Sequence, residues 1–453
     1  MAVEKLTSNP RGPGDEAGQQ RPEKPALKLG FMPLTDCAPL VVAKEIGIFH
    51  DHGLDVTLSK EASWATIRDK VIFGQLDGAH MLAGMPISAS LGLGGVQKAM
   101  ISALSLGLNG NAVSVSCALF DALVEENCGK PLSPTETGPL LRRVITTRRT
   151  QGKRQLVFAH VFPVSNHNYQ LRYWMAAAGI DPDQDVKLVV IPPPRIGEAL
   201  RDGLIDGFCV GEPWNVLAAH QGLSQVLLSG HAIWNNAPEK VLGVTAEWHR
   251  RHPFTHRALI QSLICACKWL DDPENRPVAA EMLSTPEYLD ADPALIAAPW
   301  VGQYPHESGS TGGHQASDFN VFNRLSANFP WVSHAEWVVA QMYRWGQLER
   351  ALNVRELAQS VYRPDVYRAA AFGMDQPFPT IDEKPEGIHT EGWQLSLATK
   401  VIEMGPDLFI DGDRFHPEEP IDEYLDRQRI KHLNVDFTAL RALNEGIPTN
   451  TAD

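Results

Sequence analysis

A five-residue pattern, Gly-x-x-Asp-Gly, occurs twice in this chain, at residues 74–78 and 203–207. In each copy it follows a helical pattern, at 64–73 and 196–201, and leads into an apolar strand. Glycine ends a helix readily because it adopts the left-handed conformation, and a strand after a helix completes an α/β unit. The pattern therefore predicts one α/β unit used in two related lobes. The alternative is that a pattern of only five residues recurs by chance.

The elements around the two copies are predicted to alternate between strand and helix. In chain order they are the strand 27–33, the helix 42–49, the strand 54–58, the helix 64–73, the strand 76–82, the crossing strand 112–116, the helix 169–178, the strand 186–191, the helix 196–201, the strand 205–210 and the returning strand 241–244. Parallel strands need long connections, which are usually helices, so this order predicts parallel strands with crossover helices. The predicted fold class is α/β.

Five parts of the chain are predicted from these elements. At roughly 150 residues per domain, the length of 453 residues corresponds to two or three domains or lobes. The parts are a disordered tail at 1–25, the first part of lobe I at 26–112, lobe II at 113–240, a mostly helical second part of lobe I at 241–375 and a C-terminal extension at 376–453. The extension is rich in Pro, Asp and Glu, and we expect it to wrap the surface of a lobe.

The charge balance and the first 25 residues exclude several classes of protein. The chain has 40 basic and 54 acidic residues, a net charge of −14, which argues against direct nucleic-acid binding. No apolar run reaches the roughly 18–20 residues of a membrane span. Residues 1–25 lack the run of about 7–15 apolar residues of a secretory signal. A cytoplasmic location is therefore predicted, and a periplasmic one is the alternative if the true start lies upstream.

Motifs of common enzyme and metal sites are absent from the sequence. There is no Gly-x-x-x-x-Gly-Lys-Ser/Thr phosphate loop, no dinucleotide-binding glycine fingerprint and no Gly-x-Ser-x-Gly turn. Neither His-Glu-x-x-His nor Cys-x-x-Cys occurs, and Cys265 and Cys267 have no second pair of ligands nearby. We therefore predict that the protein is not an enzyme and has neither a cofactor nor a metal site.

Several polar residues stand near the ends of predicted strands, where open α/β sheets bind their ligands. Trp64 begins a helix, where free backbone N–H groups and its own indole N–H suit an anion. Asn109 can donate through its amide, His167 stands just before a helix, and Lys240 lies in a polar loop before an apolar strand. Each residue also has a purely structural interpretation. Trp64 can be a core residue, Asn109 can belong to an ordinary turn, His167 can be a buried histidine with hydrogen-bond partners in the protein, and Lys240 can be a surface lysine. Glu212 is interpreted as a contact between lobes or within its loop.

Several segments resemble the nitrate- and bicarbonate-binding proteins of bacterial ABC uptake systems and their cytoplasmic nitrate-sensor relatives. They are LKLGFMPLTDCAPLVVAKEIGIF, EASWATIRDKVIFGQLDGAHMLAGMPI, NHNYQLRYWMAAAGIDPDQDVKLVVIPPP, DGFCVGEPWN and APEKVLGVTAEW, which lie within about residues 27–250. The resemblance implies a type II periplasmic-binding-protein-like fold, with two α/β lobes, a ligand cleft and a helical C-terminal wrap.

The resemblance also implies an anion site built from a Trp, an amide, a His and a charged residue. By position these correspond to Trp64, Asn109, His167 and Lys240. The family's nitrate binders resemble this chain in carrying Lys at the last position, whereas its bicarbonate binders carry an acid there, with calcium nearby. Nitrate or nitrite is therefore the expected ligand. The chain departs from the pattern at Asn109, where the transport proteins have Gln.

Two roles are consistent with this resemblance. In the first, the chain is a cytoplasmic nitrate/nitrite sensor that holds an RNA-binding antiterminator of nitrate assimilation and releases it when the ion binds. In the second, it is the solute-binding component of a nitrate, or less readily a bicarbonate, ABC uptake transporter, and its partner is the ABC permease. The composition of residues 1–25 favours the sensor.

Overall fold

Two large β-sheets, each flanked by helices, organise the described chain, and a small two-stranded sheet lies in its C-terminal part. The computed structural model describes residues 21–301 and 318–444. The strands are β1 (Ala26–Phe31), β2 (Asp55–Lys60), β3 (Gly78–Leu82), β4 (Met100–Asn109), β5 (Asn111–Ser116), β6 (Val157–His160), β7 (Lys187–Val190), β8 (Gly207–Gly211), β9 (Ser224–Ser229), β10 (Pro238–Thr245), β11 (Asn320–Val321), β12 (Trp393–Leu395) and β13 (Ile402–Met404).

Helices connect the strands and make up most of the described chain between residues 246 and 371. They are α1 (Ala38–Glu45), α2 (Ile48–Asp51), α3 (Trp64–Ile72), α4 (Met85–Leu91), α5 (Cys117–Glu126), α6 (Pro134–Thr150), α7 (Asn166–Ala177), α8 (Ile196–Arg201), α9 (Trp214–His220), α10 (Gly230–Ile233), α11 (Ala246–Arg251), α12 (Pro253–Leu270), α13 (Arg276–Leu283), α14 (Pro293–Ala297), α15 (Val332–Arg344), α16 (Val354–Val361), α17 (Pro364–Ala371), α18 (Ile421–Asp426) and α19 (Phe437–Asn444). Among the described residues, no helix combines the length and the apolar character needed to cross a bilayer.

The two sheets share one spatial arrangement of five strands, and the first sheet adds β11 at its edge. Their strand orders are β11-β4-β10-β3-β1-β2 and β7-β6-β8-β5-β9. In the first sheet β1 is parallel to β2 and β3, while β10 is antiparallel to β3 and β4. In the second sheet β6 is parallel to β7 and β8, while β5 is antiparallel to β8 and β9. The predicted α/β fold with one unit used in two lobes is therefore confirmed, and each lobe adds antiparallel strands to the predicted parallel ones.

The repeated Gly-x-x-Asp-Gly pattern makes the same contacts in both lobes. Asp77 Oδ2 accepts a hydrogen bond of 3.0 Å from the backbone N–H of Lys28 in β1. Asp206 Oδ2 accepts one of 2.8 Å from the backbone N–H of Val157 at the start of β6. The first glycine of each copy has a φ of +71° or +65°, which ends the helix before it. The pattern thus stops a helix and joins two neighbouring parallel strands near their starts.

The chain crosses between the sheets twice. It leaves the first sheet after β4, turns at Gly110 and enters the second sheet with β5, and it returns through α10 into β10. The crossing strand begins at Asn111 and the returning strand begins at Pro238. Both predicted boundaries of lobe II, at 113 and at 240, therefore fall inside these strands and not in the connections between them.

The segments at both ends of the described chain are bound to the lobes. Glu23 accepts hydrogen bonds from the backbone N–H groups of Phe254 (3.0 Å) and Thr255 (2.8 Å) at the start of α12. Residues 21–25 of the predicted disordered tail are thus held in place, and residues 1–20 lie outside the described residues. In the C-terminal extension, the Leu408 carbonyl accepts a hydrogen bond of 2.9 Å from the backbone N–H of Asn235, beside the second crossing.

Candidate functional site

Lys240 is a buried ammonium held by two carboxylates. It lies in β10, which runs between β3 and β4, and its exposed fraction is only 1%. Its Nζ is 2.7 Å from Asp36 Oδ2 and 2.5 Å from Glu239 Oε1. The same Nζ lies 5.7 Å from the ring centroid of Trp64. This burial excludes the alternative of a surface lysine.

Asp36 is placed by the turn that follows β1. The 3₁₀ turn Thr35–Cys37 carries it at the carboxyl end of that strand, where the lobes meet. His80 of β3 fixes the carboxylate through a contact of 2.9 Å between Nε2 and Asp36 Oδ1. The backbone N–H of Met32 points at the other ring nitrogen, Nδ1, at 3.5 Å. A neutral imidazole that accepts at Nδ1 and donates at Nε2 satisfies both contacts and leaves Oδ2 for Lys240.

Glu239 links Lys240 to the second lobe. Its Oε2 accepts a hydrogen bond of 2.6 Å from Asn111 Nδ2, and its Oε1 lies 3.4 Å from His167 Nδ1. Neighbouring residues of a regular strand point to opposite faces of the sheet. Here they contact each other, because the register of β10 against β4 shifts on both sides of Lys240.

Trp64 and His167 supply buried groups that no atom of the described chain satisfies. The indole Nε1 of Trp64 and both ring nitrogens of His167 are buried and make no hydrogen bond within the described residues. Both residues stand in the first turn of a helix, α3 and α7, whose N-caps are Ser63 and Ser165. Buried polar groups are normally hydrogen-bonded. With Lys240, these groups form a set of donors suited to a small anion.

The surroundings of the two carboxylates shift their pKa values in opposite directions. Burial raises the pKa of Asp36, but Lys240 and then His80 outweigh it and hold that pKa below its usual range. Burial raises the pKa of Glu239 above its usual value, and the attraction of Lys240 only partly offsets this. Burial lowers the pKa of Lys240, but Asp36 and Glu239 outweigh it, so the net change is upward. Burial, followed by the charge of Lys240, holds the pKa of His167 well below its ordinary value, so its ring is neutral.

The structure brings three of the four predicted residues together and directs the fourth elsewhere. Asn109 has a φ of +64°, and its Nδ2 donates to Asn236 Oδ1 (3.2 Å) and to the carbonyl of Asp318 (2.9 Å). The amide that reaches the cluster is that of Asn111, which donates to Glu239 and also to Gln170 Oε1 at 3.1 Å. Two asparagines two residues apart flank Gly110, and the left-handed turn decides which of them faces the cleft.

The lobes contact each other at the mouth of this site. The Glu212 carbonyl accepts a hydrogen bond of 2.7 Å from the backbone N–H of Thr35, and Trp214 Nε1 donates to the Pro33 carbonyl at 3.0 Å. The Glu212 side chain also accepts from the backbone N–H of Val216 at 3.1 Å. Glu212 therefore makes both the inter-lobe contact and the loop contact expected from the sequence. These contacts join the two lobes next to the turn that carries Asp36.

Sequence reasoning missed four residues of the cluster: Asp36, His80, Asn111 and Glu239. Asp36 does carry a signal, because it follows the end of the parallel strand β1, whereas His80 lies in the middle of β3. The remaining two depend on a turn and on a shift of register.

One group with the spacing of metal ligands occurs in the described residues, formed by Asp181, Asp183 and His432 outside the cleft. Its acids are already paired, since Arg172 makes two contacts of 2.8 Å with Asp183 and His432 Nε2 lies 2.9 Å from Asp181.

Comparisons with known proteins give one consistent family. Residues 20–284 match the model of the NMT1-like family. The nitrate/nitrite binding protein NrtA of Synechocystis sp. is 30% identical over 423 residues, which cover 92% of this chain and 87% of that protein. The periplasmic nitrate-binding protein NrtA from Synechocystis PCC 6803 has a crystal structure similar to this one, with a TM-score of 0.79 and 28% identity over 91% of this chain and 100% of that chain.

Other relatives are longer than this chain. The nitrate import ATP-binding protein NrtC of Synechocystis sp. is 39% identical over 357 residues, which cover 78% of this chain but 51% of that protein. The bicarbonate transport ATP-binding protein CmpC of Synechococcus elongatus is 38% identical over 77% of this chain and 50% of its own length. The chain thus spans about half the length of these curated relatives. On the family match and on the nearly full-length likeness to NrtA, this chain belongs to the NMT1-like family.

Proposed function

We propose that this NMT1-like protein binds nitrate or nitrite at Lys240 and serves as the solute-binding component of an ABC uptake system. One observation carries the proposal: the indole N–H of Trp64 and the ring of His167 are buried without hydrogen-bond partners in the described chain, beside a buried lysine. A planar monoanion accepts hydrogen bonds through every oxygen and provides the partners that these groups lack.

Closure of the lobes explains how binding serves transport. Trp64 and Lys240 belong to the first lobe, whereas His167 belongs to the second, so an anion that touches all three holds the lobes together. Such an ion has a higher affinity for the closed arrangement and shifts the population towards it. The permease can then distinguish loaded from empty protein by its shape. The relatives named as nitrate-binding and nitrate-import proteins support this role.

A thermal-shift experiment tests the choice of ligand. A ligand that binds only the folded state raises the melting temperature in proportion to the logarithm of its concentration above its Kd. Nitrate and nitrite are expected to raise the melting temperature, and bicarbonate with calcium is expected to raise it less. Equal shifts, or a larger shift with bicarbonate and calcium, would reject nitrate as the ligand.

The sensor role is the alternative to transport. It requires that the ion and an RNA-binding antiterminator prefer different arrangements of the lobes, so that the binding of one weakens the binding of the other. The names of the relatives favour transport, so the sensor role ranks second. Affinity purification of the tagged full-length chain from its native host distinguishes the roles. Transport predicts recovery of permease and ATPase subunits, and sensing predicts an RNA-binding protein that nitrate elutes.

A further inference from the structure

With Asp36 and Glu239 both ionised, the cluster around Lys240 contains one more negative charge than positive charge before any ligand arrives. Lys240 faces the two carboxylates of Asp36 and Glu239, and all three side chains are nearly inaccessible to solvent. Burial is the first cause that lowers the pKa of both His80 and His167, so neither imidazole supplies a charge at neutral pH. An incoming monoanion would therefore add a second excess negative charge to a buried site.

An uncompensated buried charge is strongly unfavourable. A positive charge must therefore enter together with the anion, as a proton or as a metal cation. The described contacts around Lys240 favour the proton, because Asp36 Oδ1 is occupied by His80 and Glu239 Oε2 by Asn111. A metal ion would have to displace these neutral partners as well as the lysine.

Glu239 is the group placed to accept that proton. Its Oε1 contacts Lys240 Nζ at 2.5 Å and lies 3.4 Å from His167, one of the groups proposed to hold the anion. Burial raises the pKa of Glu239, whereas Lys240 holds the pKa of Asp36 below its usual range. Protonation of Glu239 also changes an acceptor into a donor and frees Lys240 Nζ to face the anion.

Without a bound anion, the other titratable groups that face Glu239 do not change charge near neutral pH. They are Lys240 in β10, Asp36 after β1, His167 in α7, Cys209 in β8 and Tyr362 after α16. Burial raises the pKa of both Cys209 and Tyr362, which are therefore neutral. His167 is the one group besides Glu239 that an adjacent anion would draw towards protonation.

We propose that Glu239 takes up one proton when the anion binds beside Lys240, so that the site binds nitrate or nitrite together with a proton. This inference rests on the proposed function. It predicts that the affinity for nitrate falls by up to about tenfold per pH unit in the window between the pKa of Glu239 without ligand and its higher pKa with ligand. Below that window the carboxyl group is already protonated, and above it neither state holds the proton.

Calorimetry of the full chain measures the proton directly. Sodium nitrate is titrated in EDTA from about pH 6 to about pH 8, in two buffers with different ionisation enthalpies. The difference in heat gives the number of protons taken up, and about one per nitrate is expected within the window. Because this measurement uses the unmodified protein, it tests the inference even if a variant fails to fold.

Two matched variants assign the proton. Glu239→Gln keeps the shape and removes the charge, so it is expected to bind nitrate without proton uptake and without the pH slope. Glu386→Gln is the control, because Glu386 is a buried carboxylate that contacts Lys384 and, at 2.9 Å, His334 outside the site. It is expected to keep the pH slope of the unmodified protein.

The outcomes separate this inference from the proposed function. Nitrate binding without proton uptake, or binding that requires added calcium, would overturn the inference and leave the ligand assignment standing. A pH slope that persists in Glu239→Gln would move the proton to another group, such as His167. Folded protein that binds neither nitrate nor nitrite at any pH would instead reject the proposed function.

Discussion

Lys240 Nζ lies 2.7 Å from Asp36 Oδ2, which joins the strand that returns from the second lobe to the turn after the first strand of the chain. Both residues belong to the first lobe, so this ion pair positions the lysine independently of the second lobe. The adjacent Glu239 then receives Asn111 at 2.6 Å and lies 3.4 Å from His167 of the second lobe. The lysine proposed to hold the anion and the contacts with the second lobe therefore lie side by side.

The indole N–H of Trp64 is expected to contribute directly to anion binding. Trp64→Phe keeps a buried ring beside Lys240 but removes the donor. A hydrogen bond to a charged group contributes about 1.5–3 kcal/mol, so the Kd for nitrate should rise by about 10- to 100-fold in calorimetry. Trp248→Phe is the control, since Trp248 Nε1 donates to Asp77 at 2.9 Å, outside the cleft. Equal affinity of the two variants would remove Trp64 from the site.

Asn109 and Asn111 are expected to differ in their effect on binding. Asn111→Ala removes the donor that holds Glu239 and should weaken nitrate binding by about tenfold, because the carboxylate then competes more strongly for Lys240. Asn109→Gly permits the positive φ and removes an amide directed away from the cluster, so affinity should stay within about threefold. Isothermal titration calorimetry of both variants with nitrate measures the two affinities. A larger loss for Asn109→Gly would restore the assignment made from the sequence.

Glu336 is expected to destabilise the protein at alkaline pH. It is buried in α15, where it shares Arg355 with Glu383, and burial followed by the charge of Glu383 raises its pKa to about 8. The pKa of Glu336 is higher in the folded protein than in the unfolded chain, so folding favours its protonated form. Its contribution to the stability of the fold is therefore full below about pH 4.5 and is lost as the pH rises through about 8.

Glu336→Gln should therefore raise the melting temperature relative to the unmodified protein at about pH 9 and leave it nearly unchanged at about pH 5. The exposed Glu349 supplies the control variant, Glu349→Gln, which should behave as the unmodified protein at both values. A Glu336→Gln protein that gains no stability at the higher pH would show that the carboxylate is adequately paired by Arg355.

The repeated unit could be predicted from the sequence because it depends on local chemistry. A glycine that ends a helix, an aspartate that caps the start of a neighbouring strand and an apolar run all act within a few residues, and both copies do so in the structure. Trp64 and His167 could be anticipated for a similar reason, since helix starts offer free backbone N–H groups to a ligand. Lys240 is indicated only by the resemblance to the nitrate binders.

The two carboxylates that hold Lys240 could not be predicted in the same way. Glu239 precedes Lys240 in a strand, and regular strand geometry would place it on the opposite face. Only the shift of register between β10 and β4 brings the two side chains together. The amide of Asn111 reaches the cluster because Asn109 takes a left-handed conformation. Both features follow from tertiary packing between strands distant in sequence.

Nitrate binding that depends on Lys240 is the central claim, and calorimetry of the unmodified protein beside Lys240→Met measures it. Removing one partner of a buried ion pair lowers the free energy of unfolding by about 3–5 kcal/mol, so Lys240→Met alone can fail to fold. The double variant Glu239→Gln/Lys240→Met leaves one buried carboxylate fewer without a partner and serves as a second sample. Its melting curve checks that it is folded. The unmodified protein is expected to bind one nitrate saturably, and both variants are expected to give no binding heat. Nitrate binding of unchanged affinity in a folded Lys240→Met variant would contradict the account.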